Sequence, residues 1–496
     1  MALRHLSFFS ILCIYFTAYN QSIDTFNYDF VQINHSPKLD RAMTKLNSIK
    51  NALINSSTAD FQQEFIIVHF GDSHIQGDYF SGEFRRTLQS YFGASGSGII
   101  FPYSLCKSFG PRGLQSSKIG LWKGTNILNS SEKNKIGLAG YELTTSDTIS
   151  KLKFQFSEKF NASLSKTLKI WYLLDSTTTN FNLTNEFDEI KDTQYDGGWG
   201  VRTYNYKNAI SDFEVSIKSK KNNSAEFTFH GFELDQPIKN GIKYHQCGVV
   251  GAQFSHLINN SNLIVSQLKY LEPDLIVFSF GTNEAYDNNI DSSKYFNQLN
   301  KFISQLNLTL PNTAIIFTTA PDTRSQGKVP SNQISINNQL IKISKTHDLS
   351  LFDLNKAMGG WGSLNGWYKN NLVSSDKLHF SSSGYSLQGK LFSLAFLENY
   401  NSNFNNDSVM LNPLRDDILN KLKPVLTNNK IEEVDINHPT IVKPIKLKIP
   451  KKYIVKKGDT IFKIAKKLNV SGKKILRLNN LNENSIIRPG QVIKIP

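Results

Sequence analysis

Apolar residues recur along this chain with two different periods, and the change from one to the other divides it. Leu39, Met43, Leu46, Ile49 and Leu53 follow Ser36-Pro37, a capping residue and one suited to a first helical turn, and predict a helix. Phe65-Ile66-Ile67-Val68-His69-Phe70 is a short, nearly continuous apolar run, the pattern of a parallel strand buried on both faces. It breaks into Gly71-Asp72-Ser73-His74. Phe80, Phe84, Leu88 and Phe92 then repeat every fourth residue and predict a second helix. The glycine-rich stretch Gly93 to Gly98 lacks the Lys-Ser/Thr ending of a phosphate loop and is expected as a plain loop.

From about Gln115 to Tyr244 the period becomes two. Leu152, Phe154 and Phe156 alternate with polar residues, as do Leu168, Ile170 and Tyr172, then Phe213, Val215 and Ile217, then Phe227 and Phe229. This predicts an inserted two-sheet β-sandwich over residues 115–243, in which Trp171, Trp199 and Tyr204 either stack on sugar rings or fill the core. Strands alternating with helices resume at Tyr244 to Ala252, Leu275 to Phe280, Ala314 to Thr319 and Leu349 to Leu354. That alternation argues for a parallel sheet with helices on both faces, built from residues 21–114 and 244–400. Residues 401–450, rich in Asn, Lys and Pro, are expected as a linker with a short helix near Asp416 to Leu422. Residues 451–496 read as a compact strand–helix–helix–strand unit.

Length and composition refine this picture. A chain of 496 residues, 39% hydrophobic, can bury several cores. Residues 1–20, with Arg4 and an apolar run from Leu6 to about Ala18, have the pattern of a secretory signal rather than of a membrane span. Export to the periplasm or cell envelope is therefore expected, with no integral membrane segment in the mature chain. Cys106 and Cys247 then remain, too few for a metal site, and their pairing is left open. Of the net charge of +15, residues 451–496 hold 12 basic residues against Asp459 and Glu483. The rest is nearly balanced. A local basic tail on an exported chain favours an anionic wall or membrane surface over nucleic acid.

Serine acyl transfer needs a base, an orienting acid and donors for an oxyanion. Ser73, at the carboxyl end of a buried strand and the start of a helix, has its hydroxyl exposed and its own N–H free. Asp376 and His379 lie three apart, close enough for the carboxylate to hold the imidazole and set its tautomer. Asn283, in Gly281-Thr282-Asn283-Glu284, offers a side-chain N–H at another strand end, and Gly251 a backbone N–H. Each motif alone is ordinary turn or capping chemistry. Their joint presence, in this order, is what points to a site.

Together these stretches resemble the SGNH, or GDSL-like, hydrolases. Gly71-Asp72-Ser73 matches the first block of that family, Gly251 the second (Gly248 competes for it), Gly281-Thr282-Asn283 the third, and Asp376-Lys377-Leu378-His379 the last. The resemblance implies a flavodoxin-like three-layer α/β/α domain, interrupted here by the β-sandwich. It implies ester hydrolysis with Ser73 as nucleophile, His379 as base and Asp376 as orienting acid. Ser73, Gly251 and Asn283 would form the oxyanion hole, without metal or cofactor. Residues 451–496 resemble a small βααβ LysM domain, whose signature stretches include Gly458-Asp459-Thr460, Asn479 and Pro489-Gly490. LysM domains bind peptidoglycan and other N-acetylglucosamine-containing glycans, and these residues are the expected glycan contacts. The combination is similar to peptidoglycan O-acetylesterases. Three rivals share parts of this pattern. An O-acetyltransferase would use the same residues, and a non-catalytic wall-binding protein would carry an unreactive Ser73. A metallophosphoesterase would need a second Gly-Asp block and a Gly-His-x-His, neither of which is present.

Overall fold

A computed structural model divides the chain into two compact units, residues 1–432 and 433–496. It describes residues 31–54, 63–111, 113–129, 135–157, 165–174, 179–183, 186–219, 226–237, 239–324, 329–404, 408–427, 452–456, 459–468, 472–482, 485 and 487–495. The expected signal segment lies outside them. The first unit starts with α1 (Pro37–Ile54), β1 (Glu64–Gly71), α2 (Ser73–Gln76), α3 (Phe80–Phe92) and β2 (Ala94–Gly96). Inserted strands follow: β3 (Leu114–Ile119), β4 (Lys123–Asn126), β5 (Tyr141–Thr145), β6 (Ile149–Phe156), β7 (Thr167–Leu174) and β8 (Thr179–Leu183). The insertion is completed by β9 (Glu189–Gln194), β10 (Trp199–Asn205), β11 (Asp212–Ser219) and β12 (Phe227–Asp235). Alternation then resumes with β13 (Gly241–Gly248), α4 (Phe254–Asn259), α5 (Ser261–Leu271), β14 (Leu275–Ser279) and α6 (Thr282–Tyr286). The unit closes with α7 (Ser292–Thr309), β15 (Ala314–Thr318), α8 (Gln333–Thr346), β16 (Ser350–Phe352), α9 (Leu354–Ala357), α10 (Leu364–Lys369), α11 (Ser382–Phe404) and α12 (Asn412–Thr427).

Strands β16, β15, β14, β1 and β13 pair in parallel, in that spatial order. Numbered along the chain this is 2-1-3-4-5, the flavodoxin-like order, with its switch point between β1 and β14. The continuous apolar runs of these strands follow from cover on both faces. Phe65 and Ile67 pack with α1, α3 and α11, whereas Val68 and Phe70 pack with α4, α5 and α7. The stripe foreseen on α3 buries Phe80, Phe84 and Phe92 against aromatic residues of α11, with Phe84 and Phe392 at 4.4 Å between ring centroids. Each such ring contributes roughly 1.5–3 kcal/mol by burial. The three-layer α/β/α class is the one expected.

The insertion is more tightly joined than a separate sandwich. β2 pairs in parallel with β13 and antiparallel with β12, and β12 leads on through β7 and β10 to β9. One sandwich sheet is thus the far half of the same 12-stranded sheet. The second sheet, in the order β3-β6-β11-β8, covers it with Phe154 and Phe213 packed on Phe229 and Phe232. Gly93 to Gly98 is accordingly not a plain loop. Its β2 segment is the joint between the halves, and small residues let the neighbouring backbones approach.

The linker boundary also moves. α11 runs on to Phe404, and α12 buries Ile418, Leu422 and Val425 at helical spacing in the same core. Residues 401–404 and 408–427 therefore belong to the first unit; residues 428–451 are not among those described. In the second unit, β17 (Lys452–Ile454) pairs antiparallel with β18 (Val492–Lys494). α13 (Ile461–Leu468) and α14 (Gly472–Leu478) lie between them in sequence, giving the βααβ order. Val455, Ile464, Ile475 and Ile493 form its core.

Candidate active site

β1 ends at Gly71, and Asp72 caps the single-turn helix α2: its Oδ1 accepts from the His74 N–H at 2.9 Å. Ser73 is therefore the first residue of the turn, partly exposed at the switch point. Its N–H has no acceptor among the described residues, as the leading N–H groups of a helix do not. The arrangement is held from below by Gly248, which pairs with Gly71 on β13. A Cβ on Gly248 would lie 2.4 Å from the Gln76 nitrogen. Only glycine fits there.

Asp376 and His379 arrive in the segment between α10 and α11. The Asp376 Oδ1 accepts from the N–H groups of Leu378 and His379 at 3.0 and 2.9 Å, which folds the segment back on itself. Lys377 completes the turn with φ +56°, and its carbonyl accepts from the Arg324 N–H. His379 Nδ1 then lies 2.7 Å from Asp376 Oδ2, and its Nε2 lies 3.1 Å from Ser73 Oγ. A carboxylate only accepts, so Nδ1 carries the proton and Nε2 faces the serine hydroxyl as acceptor. Burial acts to raise the Asp376 carboxyl, but the hydrogen bonds from His379 and the two backbone N–H groups outweigh it. The group sits below its ordinary range and is ionised at neutral pH. Ser73, His379 and Asp376 are thus brought together in line.

Gly251 and Asn283 flank the serine through a connected set of contacts. Gly251 has φ +79°, a conformation that suits glycine, in the turn that follows β13. Its N–H has no acceptor among the described residues. Asn283 is not idle: its Nδ2 donates to the Ala252 carbonyl at 2.9 Å and to Asp72 Oδ2 at 3.2 Å. Glu284, in the place where the resembling family commonly has aspartate, accepts from the N–H groups of Phe254 and Gly281. It braces the starts of α4 and α6 against each other.

Several polar groups here are buried without a charge partner. Burial pushes Asp72 up to about 8, against the opposing hydrogen bond from His74, and Glu284 up to about 7, against its backbone donors. Burial, and after it the charge on His379, pushes His74 down to about 3. The neutral His74 ring stacks on His379 with centroids 5.7 Å apart and planes 29° apart, and its Nδ1 pairs with the Tyr385 hydroxyl at 3.1 Å. Asp72 is thus held by the His74 N–H and by Asn283, and His74 by Tyr385. Among the described residues no group of three His, Cys, Asp or Glu side chains is arranged to hold a metal.

Other candidates are placed elsewhere. Trp171, Trp199 and Tyr204 are fully buried, with Trp171 and Trp199 stacked on each other, so the core reading holds and none offers a face to a sugar. Cys106 and Cys247 are both free thiols. In the second unit Gly458 is not among the described residues. Asp459 accepts from the Lys456 N–H and the Tyr453 hydroxyl, Thr460 caps α13, and the Gly490 N–H donates to the Val455 carbonyl. Asn479 exchanges two hydrogen bonds at 2.7 Å with the Lys494 backbone. These side chains first hold the unit together. Pro489 precedes Gly490 in the turn before β18. Gln76, which sequence reasoning passed over, is buried beside Ser73 with every amide position engaged. Its only sequence signal was its place one helical turn after the serine.

Residues 175–392 match the family model described as GDSL-like Lipase/Acylhydrolase, and residues 453–496 match that of the LysM domain. The first match takes in Gly251, Asn283, Asp376 and His379, and begins beyond Ser73. No curated protein matches the chain in sequence. Among solved structures, a peptidoglycan O-acetylesterase is similar at 20% identity and a TM-score of 0.59, over 73% of this chain and 96% of that one. That likeness is one of fold. A lipase/acylhydrolase from Enterococcus faecalis aligns at 22% identity and a TM-score of 0.26, over 31% of this chain and 74% of its own. A catalytic mutant of an acetylxylan esterase from Geobacillus stearothermophilus aligns at 16% and 0.26, over 33% and 74%. Among the described residues, no helix is long and apolar enough to cross a membrane.

Proposed function

We propose that this chain, a carboxylic ester hydrolase with a GDSL-like acylhydrolase domain and a LysM domain, removes O-acetyl groups from peptidoglycan or a related acetylated glycan. The observation that carries the reading is the line Ser73 Oγ, His379 Nε2, His379 Nδ1, Asp376 Oδ2, beside two backbone N–H groups, of Ser73 and Gly251, that have no acceptor among the described residues. The Ser73 oxygen attacks the acetyl carbonyl carbon as its proton passes to His379 Nε2. The oxyanion that forms faces the N–H groups of Ser73 and Gly251, and Asn283 Nδ2 turns to it from its longer contact, the one to Asp72. Collapse breaks the ester C–O bond, and the sugar oxygen leaves with the proton from His379. Water, giving a proton to His379, then attacks the acetyl-Ser73 carbonyl. Acetate departs and Ser73 recovers its hydrogen. Asp376 holds the imidazole in the required tautomer and stabilises the imidazolium.

The LysM domain supplies glycan affinity, and its basic surface favours an anionic wall. The chain is exported and works at the cell envelope. The test is acetate release from O-acetylated peptidoglycan and from a small aryl acetate, by wild type and by Ser73→Ala. Release from both, lost in Ser73→Ala, supports the reading. Binding of the glycan without release from either substrate would overturn it. Acetyl transfer to an added sugar in place of acetate release would reassign the same residues to a transferase.

A further inference from the structure

We propose that Gln76 is a positioning residue of this acyl-transfer site, through which the inserted strands hold the turn that carries Gly251. The inference rests on the esterase reading above and gives the insertion a part in it. The Gln76 amide is buried on the last residue of α2, one helical turn from Ser73. Its Oε1 accepts from the Val250 N–H at 2.7 Å and from the Tyr141 hydroxyl at 3.4 Å. Its Nε2 donates to Ser108 Oγ at 2.7 Å and to the Phe109 carbonyl at 2.9 Å. Both hydrogens and both lone pairs of the amide are thus used. A side chain so fully engaged has one orientation.

What it orients is the peptide next to the proposed oxyanion donor. The turn from Val249 to Ala252 is tied at three points: the Val249 N–H to the Gly71 carbonyl, the Val250 N–H to Gln76, and the Ala252 carbonyl to Asn283. Gly251, with φ +79°, lies between them in a turn that the Ala252 N–H closes on the Val249 carbonyl. One anchor, Gly71, ends the strand two residues before Ser73, and another is Asn283 itself. The third, through Gln76, reaches outward to Ser108 and Phe109, in the loop that leads into the insertion, and to Tyr141 on β5. Ser108 and Tyr141 also bond each other at 3.1 Å, which closes the network. Through Gln76, the serine, the Gly251 turn and the inserted strands share one rigid contact. A donor that drifts by a fraction of an ångström loses most of its value to the transition state while the substrate still binds.

The test compares Gln76→Met, Gln76→Glu and Ser108→Ala with wild type on an aryl acetate, with thermal unfolding followed on each. Gln76→Met keeps the volume and removes all four bonds; kcat should fall by at least about tenfold, approaching the 100-fold to 1000-fold of losing a whole oxyanion donor, with KM changed less than about threefold. Gln76→Glu keeps the oxygen that faces Val250 but sets an acceptor against the Phe109 carbonyl, so its loss in kcat should fall between those of Ser108→Ala and Gln76→Met. Ser108→Ala, at a partly exposed position, should lose about twofold to fivefold in kcat by loosening the outer anchor. A merely structural glutamine would lower the unfolding temperature and the active fraction without separating kcat from KM, and without recovery in the glutamate variant. Wild-type turnover with kcat unchanged in both Gln76→Met and Ser108→Ala would overturn this inference alone. An inactive wild type would overturn the esterase reading with it.

Discussion

At the carboxyl ends of β1 and β14, Asp72, His74 and Glu284 are buried with hydrogen bonds but no opposite charge, and each is pushed toward its neutral form. Where the inserted strands join the parallel ones, Lys243, Glu233 and Asp235 are buried and Lys169 largely so, and their charges meet. Lys243 lies 2.8 Å from Asp235 and 3.0 Å from Glu64, Lys169 lies 2.8 Å from Asp235, and the Trp171 indole donates to Glu233 at 2.7 Å. There burial opposes ionisation but the two lysines prevail, and Asp235 is held below its ordinary range. Burial alone does not mark a reactive place. Burial with the charge left unmatched, at a strand end beside a partly exposed serine, is the distinguishing feature. The paired network joins β7 and β12 to β1 and β13, and so fastens the insertion to the sheet that bears the site.

The comparison can be broken most strongly at the site. Asp376→Asn should cost on the order of 1000-fold to 10,000-fold in kcat/KM, because the imidazole loses the partner that sets its tautomer. Its unfolding temperature should stay near wild type, since Asp376 is half exposed. Lys243→Met should do the reverse. Leaving Asp235 and Glu64 without their buried cation should cost about 3–5 kcal/mol in denaturant unfolding, with kcat of the folded fraction kept. Asn283→Ala tests the boundary between the two roles. We expect a 100-fold to 1000-fold loss in kcat, and a smaller loss of stability from the released Ala252 carbonyl and Asp72.

Acid gives the mildest test. His245 is buried, accepts from the Ile99 N–H, and is pushed down by burial to about 4. The unfolded chain, with histidine near 6.5, binds more protons between those values, so this stability is present above about 6.5 and lost as pH falls toward 4. Between pH 6.5 and 5 the loss should be about 2 kcal/mol. His245→Asn should flatten the stability profile by that amount over that window, and an unaltered slope would contradict the assignment.

How far the chain could be read follows from which contacts are local. Asp376 and His379 were legible because one turn brings them together, and Ser73 because a buried strand must end where it stands. The stripe of α3 was legible from its spacing alone. The union of insertion and sheet was not, since it depends on three residues, Ala94–Gly96, whose partners on β12 and β13 lie more than a hundred positions away. α12 was legible only as a short helix near Asp416 to Leu422, because its polar composition hid that Ile418, Leu422 and Val425 enter the core of the first unit. Gln76 was silent for another reason. A glutamine inside a helix is ordinary, and only the folded chain brings Val250 and Phe109 to its two ends.

The central claim, that Ser73 carries the acetyl group during turnover, is tested most directly by intact-protein and peptide mass spectrometry after rapid acid quench of the enzyme mixed with an aryl acetate. The account predicts one added acetyl group, on the peptide that holds Ser73, accumulating before steady state and absent from Ser73→Ala. Turnover that persists in Ser73→Ala, or an acetyl group found on another residue at a rate that matches turnover, would contradict it.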